Sequence, residues 1–118
     1  MLVVDDEPHV RQMLQNVVTM LGYDVKQAAD GAQALALVPV FEPDLVLLDL
    51  HMPVMSGLEA LDHLRRDSPH IAVVIVTGDT DEQLAQRTLR GGAVGYVVKP
   101  FSVDELSQAV TNALREKG

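Results

Sequence analysis

Leu45-Val46-Leu47-Leu48-Asp49 is an unbroken apolar run closed by a carboxylate. A run this short, apolar and bounded reads as a strand covered on both faces, with the acid marking where the chain leaves the core. The same pattern recurs along the chain. Met1–Val4 runs into Asp5-Asp6, Ile71–Val76 into Thr77, and Tyr96-Val97-Val98 into Lys99-Pro100, while Asp24–Ala28 gives a weaker strand signal. Helix-period stretches lie between the runs. Val10, Met13, Leu14, Val17, Val18 and Leu21 fall at spacings of three and four, and Gly22 stands where a C′ glycine ends a helix. Asp5 or Asp6 is expected to cap that helix as well. Asp30 is placed to cap a short helix over Ala32–Val38, which Pro39 is expected to stop. Ser56 with Glu59 reads as a capping box for a helix to about Arg66. The polar loop Gly78–Thr80 leads to a helix ending near Arg90. Ser102 with Glu105 is a second capping box, stapled by Phe101 and Leu106, for a last helix to about Arg115.

Strand–helix alternation of this kind predicts a single doubly wound α/β domain over residues 1–118. It is a flavodoxin-like five-stranded parallel sheet in the order 2-1-3-4-5 with helices on both faces. The composition fits. Apolar residues at 47% and charged residues at 22% over 118 residues are those of an ordinary globular chain. With no cysteine, disulfides, thiolate metal sites and cysteine nucleophiles are excluded. A net charge of −8 argues against direct nucleic-acid binding and against anionic membranes. No signal peptide or membrane-spanning run is seen, which makes cytoplasmic the expected location. Only four residues precede Asp5 in what should be a central strand, so the natural chain is expected to begin earlier or to be longer.

In such sheets ligands bind beyond the carboxyl ends of the strands, where the winding reverses, here between the first and third strands. Asp5, Asp6, Asp49, Thr77 and Lys99 all fall at that edge. Three carboxylates brought together would raise one another's pKa values, and a hard divalent cation relieves the repulsion. Mg²⁺ suits a few carboxylates, several waters and a phosphate oxygen. The four histidines share no metal-ligand spacing and read as surface or loop residues. Met52 and Met55 read as packing residues, and Gly91-Gly92 as a helix end.

The pieces Val4-Asp5-Asp6-Glu7-Pro8, Asp49-Leu50-His51-Met52-Pro53-Val54-Met55-Ser56-Gly57, Thr77-Gly78 and Tyr96-Val97-Val98-Lys99-Pro100-Phe101 occur in order, each at a strand end. Together they resemble a bacterial response-regulator receiver domain, over essentially the whole chain. The resemblance implies a two-component signalling domain, not an enzyme with a separate substrate. Asp49 would accept a phosphoryl group from a sensor histidine kinase or histidine phosphotransfer protein. Asp6 and Asp49 would ligate Mg²⁺, Asp5 would orient a metal-bound water, and the His51 carbonyl would be a backbone ligand. Lys99 and Thr77 would each meet a phosphoryl oxygen. The Lys99-Pro100 bond would be cis. Tyr96 would be the switch aromatic, pointing outward until phosphorylation draws Thr77 inward. A downstream effector domain or protein would read the face of the fourth helix, fifth strand and fifth helix. On that face Gln83, Gln86, Arg87, Arg90, Asp104, Ser107 and Gln108 are expected to be exposed, while Leu84 and Leu89 pack inward. His51 and Asp79 occupy positions that in this family affect how long the phosphoryl group lasts.

Three other readings fit less well. A phosphatase with an aspartyl nucleophile usually carries a second carboxylate two residues on, where this chain has His51. A flavodoxin-like cofactor binder needs a Gly-, Ser- or Thr-rich loop after the first strand, where this chain has Asp5-Asp6-Glu7-Pro8. A receiver used only for docking would not need every catalytic position filled. No effector domain follows the last helix within these residues. The chain is therefore expected to be either a stand-alone regulator or the receiver of a larger protein.

Overall fold

A computed structural model describes the backbone of residues 1–117 and the side chains of residues 1–115. Five strands alternate with five helices: β1 Leu2–Val4, α1 Pro8–Met20, β2 Lys26–Ala28, α2 Gly31–Phe41, β3 Leu45–Leu48, α3 Gly57–Asp67, β4 Ala72–Thr77, α4 Glu82–Arg90, β5 Gly95–Val98 and α5 Val103–Lys117. All pairings are parallel and the order is β2-β1-β3-β4-β5, as expected from the alternation.

Strand residues alternate between two cores because successive side chains point to opposite faces. Val3, Leu45, Leu47, Val74 and Val76 pack with α1 and α5 through Leu14, Val18, Leu106 and Val110. Leu2, Val4, Val46, Leu48, Val73 and Ile75 pack with α2 and α3 through Ala34, Leu61 and Leu64. Most of these side chains are fully buried, each worth ~1.5–3 kcal/mol relative to exposure. The three-residue β1 holds the centre by pairing on both sides and continuing just past its end. The Asp5 N–H donates to the Ala28 carbonyl at 3.2 Å, and the Asp49 N–H donates to the Val4 carbonyl at 3.0 Å. That registration sets the two acids side by side.

The helix ends are largely those predicted. The Asp30 carboxylate accepts from the Gln33 N–H, Ser56 accepts from the Glu59 N–H, and Ser102 and Glu105 form a reciprocal box. Gly22 takes the left-handed conformation after α1, with φ +95°. Ser107 in α5, expected to be exposed, is half-buried, and three further expectations fail. Pro39 does not stop α2, which runs on to Phe41. Proline's φ is helical, and in the last turn it costs only one intrahelical bond and a strained contact with the carbonyl four residues back. Neither Asp5 nor Asp6 caps α1. Its N-cap is Glu7, without a side-chain bond, and Pro8 opens the helix with a φ already suited to it. Leu89 is exposed, and Thr88 packs inward instead. Thr88 lies four residues from half-buried Leu84 and so shares its face. Its hydroxyl donates to the Ala85 carbonyl at 2.7 Å, which lets a polar side chain be buried there.

Gly57 begins α3 against the strand end that carries Asp49, and its N–H donates to the Leu50 carbonyl at 2.9 Å. A Cβ there would sit 2.1 Å from the Asp49 carbonyl oxygen and 2.6 Å from the Leu50 Cα. Both are backbone atoms that cannot turn aside. Gly57→Ala is therefore expected to destabilise the fold by about 3 kcal/mol or more. Urea denaturation measures it, and an unchanged midpoint would show that the loop gives way freely.

Candidate functional site

Four of the five strands deliver a polar side chain to one edge of the sheet. Asp5 follows β1, Asp49 follows β3, Thr77 ends β4 and Lys99 follows β5. Asp5, Asp49 and Thr77 are buried, whereas Asp6 is exposed at the mouth. One carboxylate oxygen each from Asp5, Asp6 and Asp49 lies within 4.8 Å of the others. Three hard oxygen donors this close, two of them in a buried setting, fit a small divalent cation better than a histidine- or thiolate-seeking metal.

Lys99 is the counter-charge. Its Nζ lies 2.6 Å from Asp5 Oδ2 and 3.6 Å from Asp49 Oδ2. The edge strand therefore sends an ammonium past the ends of β4 and β3 to reach β1. The Lys99-Pro100 peptide is cis, as the resemblance implies. Burial works against the Lys99 charge. The hydrogen bond to Asp5 and the charges of Asp49, Asp5 and Glu7 outweigh it, and the pKa is raised. Burial pushes the Asp49 carboxyl up from the ordinary carboxylate value. The charge of Asp5 adds to this, while Lys99, the Thr77 hydroxyl and the His51 backbone N–H pull it partly back. The Leu50 N–H also donates to Asp49 Oδ1 at 2.8 Å. Asp5 Oδ1 accepts from the Glu7 N–H at 2.9 Å, so both of its oxygens are engaged.

A second set of contacts closes the β3–β4 side. His51 Nε2 lies 2.7 Å from Asp79 Oδ2. The Asp81 N–H donates to Asp79 Oδ1 at 2.9 Å, and the Asp79 N–H donates to Thr77 Oγ1 at 3.4 Å. The Asp81 N–H and the His51 ring hold the Asp79 carboxyl below its usual range. The Tyr96 hydroxyl donates to the Asp79 carbonyl at 2.9 Å, and the ring packs against the α2–α3 core. The outward-pointing ring expected for Tyr96 is thus corrected: the residue is half-buried and tied to the β4–α4 loop. Sequence reasoning placed every carboxylate, Thr77 and Lys99 at this edge. It did not anticipate the His51–Asp79 pair. The signal was present: each residue stands two positions after a site residue at the end of neighbouring parallel strands.

Comparison with known proteins agrees with this geometry. A family model described as the response regulator receiver domain matches residues 1–111. The chain is 39% identical over 113 residues to sporulation initiation phosphotransferase F of Bacillus subtilis, covering 96% of this chain and 91% of that protein. It is 40% identical to the regulatory protein AtoC of Escherichia coli and 43% to the DNA-binding response regulator MtrA of Mycolicibacterium smegmatis, over 97% of this chain in both cases. It spans only a quarter of the former and half of the latter. Among solved structures, the receiver domain of NtrX from Brucella abortus superposes with a TM-score of 0.92 at 32% identity, covering 97% of each chain. No helix among the described residues is long and apolar enough to cross a membrane.

Because the Lys99 charge lowers the Asp49 pKa, Lys99→Met is expected to raise it further above the ordinary carboxylate value. A carboxyl ¹³C NMR titration in metal-free buffer reads this directly. An unchanged Asp49 midpoint would mean that the ammonium does not act on that carboxylate.

Proposed function

The chain belongs to the response regulator receiver domain family of two-component systems, and on that premise we propose that Asp49 is its phosphoacceptor. The observation that carries the proposal is the setting of Asp49. It is a buried carboxylate at the end of β3, within 4.8 Å of two others and 3.6 Å from a lysine ammonium. An Asp49 oxygen attacks the phosphorus of a phosphohistidine on a partner histidine kinase or phosphotransfer protein. The P–N bond breaks, its electron pair returns to the imidazole, and an acyl phosphate forms on the carboxylate. The chain thus catalyses its own modification and acts on no separate substrate.

Phosphoryl transfer asks chiefly for positioning and charge neutralisation. Asp6 and Asp49 would hold Mg²⁺ through carboxylate oxygens, with the His51 carbonyl as a backbone ligand. When bound, that ion offsets the charge of the phosphoryl oxygens. Asp5 fits the indirect role of orienting a metal-bound water, since both its oxygens are already engaged by Lys99 and Glu7. Lys99 is placed to turn from Asp5 toward a phosphoryl oxygen, and the Thr77 hydroxyl to meet another. Residues 1–118 are read as one receiver domain in the cytoplasm, its output passing to an effector domain or protein through the α4-β5-α5 face. Tyr96 supports that route, since its hydroxyl holds the carbonyl two residues after Thr77.

Asp49→Asn is expected to abolish labelling by acetyl phosphate while the fold persists, and undiminished incorporation would overturn the assignment. Excess EDTA is expected to suppress labelling of the wild-type chain. Three carboxylates and one lysine leave the pocket about two charges negative when ionised, before a phosphoryl dianion is added. For the switch, beryllofluoride is expected to shift NMR signals along residues 80–110. Shifts confined to the Asp49 pocket would remove Thr77 and Tyr96 from that role.

A further inference from the structure

We infer that Arg11 is a positioning residue for the Asp5-Asp6 pair, acting through the backbone rather than through its charge. The inference rests on the reading of Asp6 and Asp49 as ligands of Mg²⁺. Arg11 stands in α1 and is half-buried. Its Nη1 donates to the Asp5 carbonyl at 2.7 Å, and its Nε donates to Gln27 Oε1 at 3.2 Å. Gln27 lies in β2, and its amide nitrogen donates in turn to Gln15 Oε1, one turn further along α1. The guanidinium therefore ties the β1–α1 turn to β2 and is itself aimed by a second side chain.

Arg11 makes no ion pair among the described residues. Its charge does not serve the helix either, since a cation near a helix N-terminus opposes the macrodipole. What it meets is a buried acceptor. β1 ends at Val4, so the Asp5 carbonyl lies past the regular ladder, and Asp5 is fully buried. A buried carbonyl needs a donor, and the planar fork supplies one while its other arm holds Gln27. With that bond every polar group of Asp5 has a partner. Its N–H donates to the Ala28 carbonyl, Oδ1 accepts from the Glu7 N–H and Oδ2 accepts from Lys99.

Asp6 differs. It is exposed, and its carboxylate makes no hydrogen bond or ion pair among the described residues. Only the backbone decides where that side chain starts. The Asp5 carbonyl belongs to the planar peptide that joins Asp5 to Asp6. Fixing the direction of its oxygen therefore fixes the N–H and Cα of Asp6 as well. One guanidinium thus sets the angle between the inward acid and the outward one, on which the close approach of three carboxylate oxygens depends. Groups that orient a metal ligand typically account for ~10–100-fold in affinity.

The test is a Mg²⁺ titration of the metal-free chain followed by ¹⁵N NMR well below the melting temperature. A guanidinium that acted as a charge would repel the cation, and its loss would tighten binding. A guanidinium that acts as a brace gives the opposite sign. Arg11→Met keeps an apolar stem and removes every donor, and is expected to weaken Mg²⁺ binding about tenfold. Arg11→Lys keeps the charge and loses the fork, and is expected to weaken it about threefold. In metal-free buffer the Asp5 carbonyl ¹³C signal is expected to move upfield in Arg11→Met as it loses its donor. Ile71, buried just before β4, lies at the far end of the sheet. Ile71→Val is expected to lower the melting temperature and leave Mg²⁺ affinity unchanged. Unchanged or tighter binding in either Arg11 variant, an unmoved Asp5 carbonyl signal, or an equal loss in Ile71→Val would overturn this inference alone. A wild-type chain without saturable shifts around Asp5, Asp6 and Asp49 would overturn the Mg²⁺ reading and this inference with it.

Discussion

Everything at the acidic edge depends on one ammonium group. Asp5 and Asp49 are carboxylates with little or no access to water, and two such charges side by side would be prohibitive without compensation. Lys99, 94 residues along the chain from Asp5, supplies it at 2.6 Å. Removing one partner of a buried pair typically costs ~3–5 kcal/mol, far more than the pair adds over an apolar replacement. The arrangement is therefore poor as a stabilising device and effective as a poised one. It holds two anions side by side with a single cation between them.

The fold serves that arrangement by simple means. Parallel pairing brings the carboxyl ends of β1, β3, β4 and β5 to one edge, and two apolar layers fix the strands against sliding. A slip of one residue in β3 would exchange Leu47 for Leu48 between the two cores and carry Asp49 to the wrong face. Precision at the site is thus a by-product of burial several residues away.

Much of this was legible in the residues themselves. Continuous apolar runs such as Leu45–Leu48 leave no doubt about strands covered on both sides, and a polar residue at the end of each run identifies the working edge. Caps read well because Asp30, Ser56 and Ser102 act on amides only three positions away. What failed depended on context that no single residue carries. Pro39 was misread because the cost of a helical proline depends on how close the helix already is to ending. Leu89 was misread because hydrophobicity alone cannot show that its neighbour Thr88 satisfies its hydroxyl internally. The His51–Asp79 contact joins loops 28 residues apart, and only the register of β3 against β4 brings them together.

Asp79 touches the β3–α3 loop through its carboxylate and Tyr96 through its carbonyl, while its other carboxylate oxygen takes an amide at the start of α4. Segments that look separate in sequence thereby share a single mechanical coordinate. Displacement of any one is opposed by the other two, and thermal fluctuation in the loops becomes correlated rather than independent. The consequence of this shared residue is kinematic: it reduces the number of ways in which this end of the molecule can move.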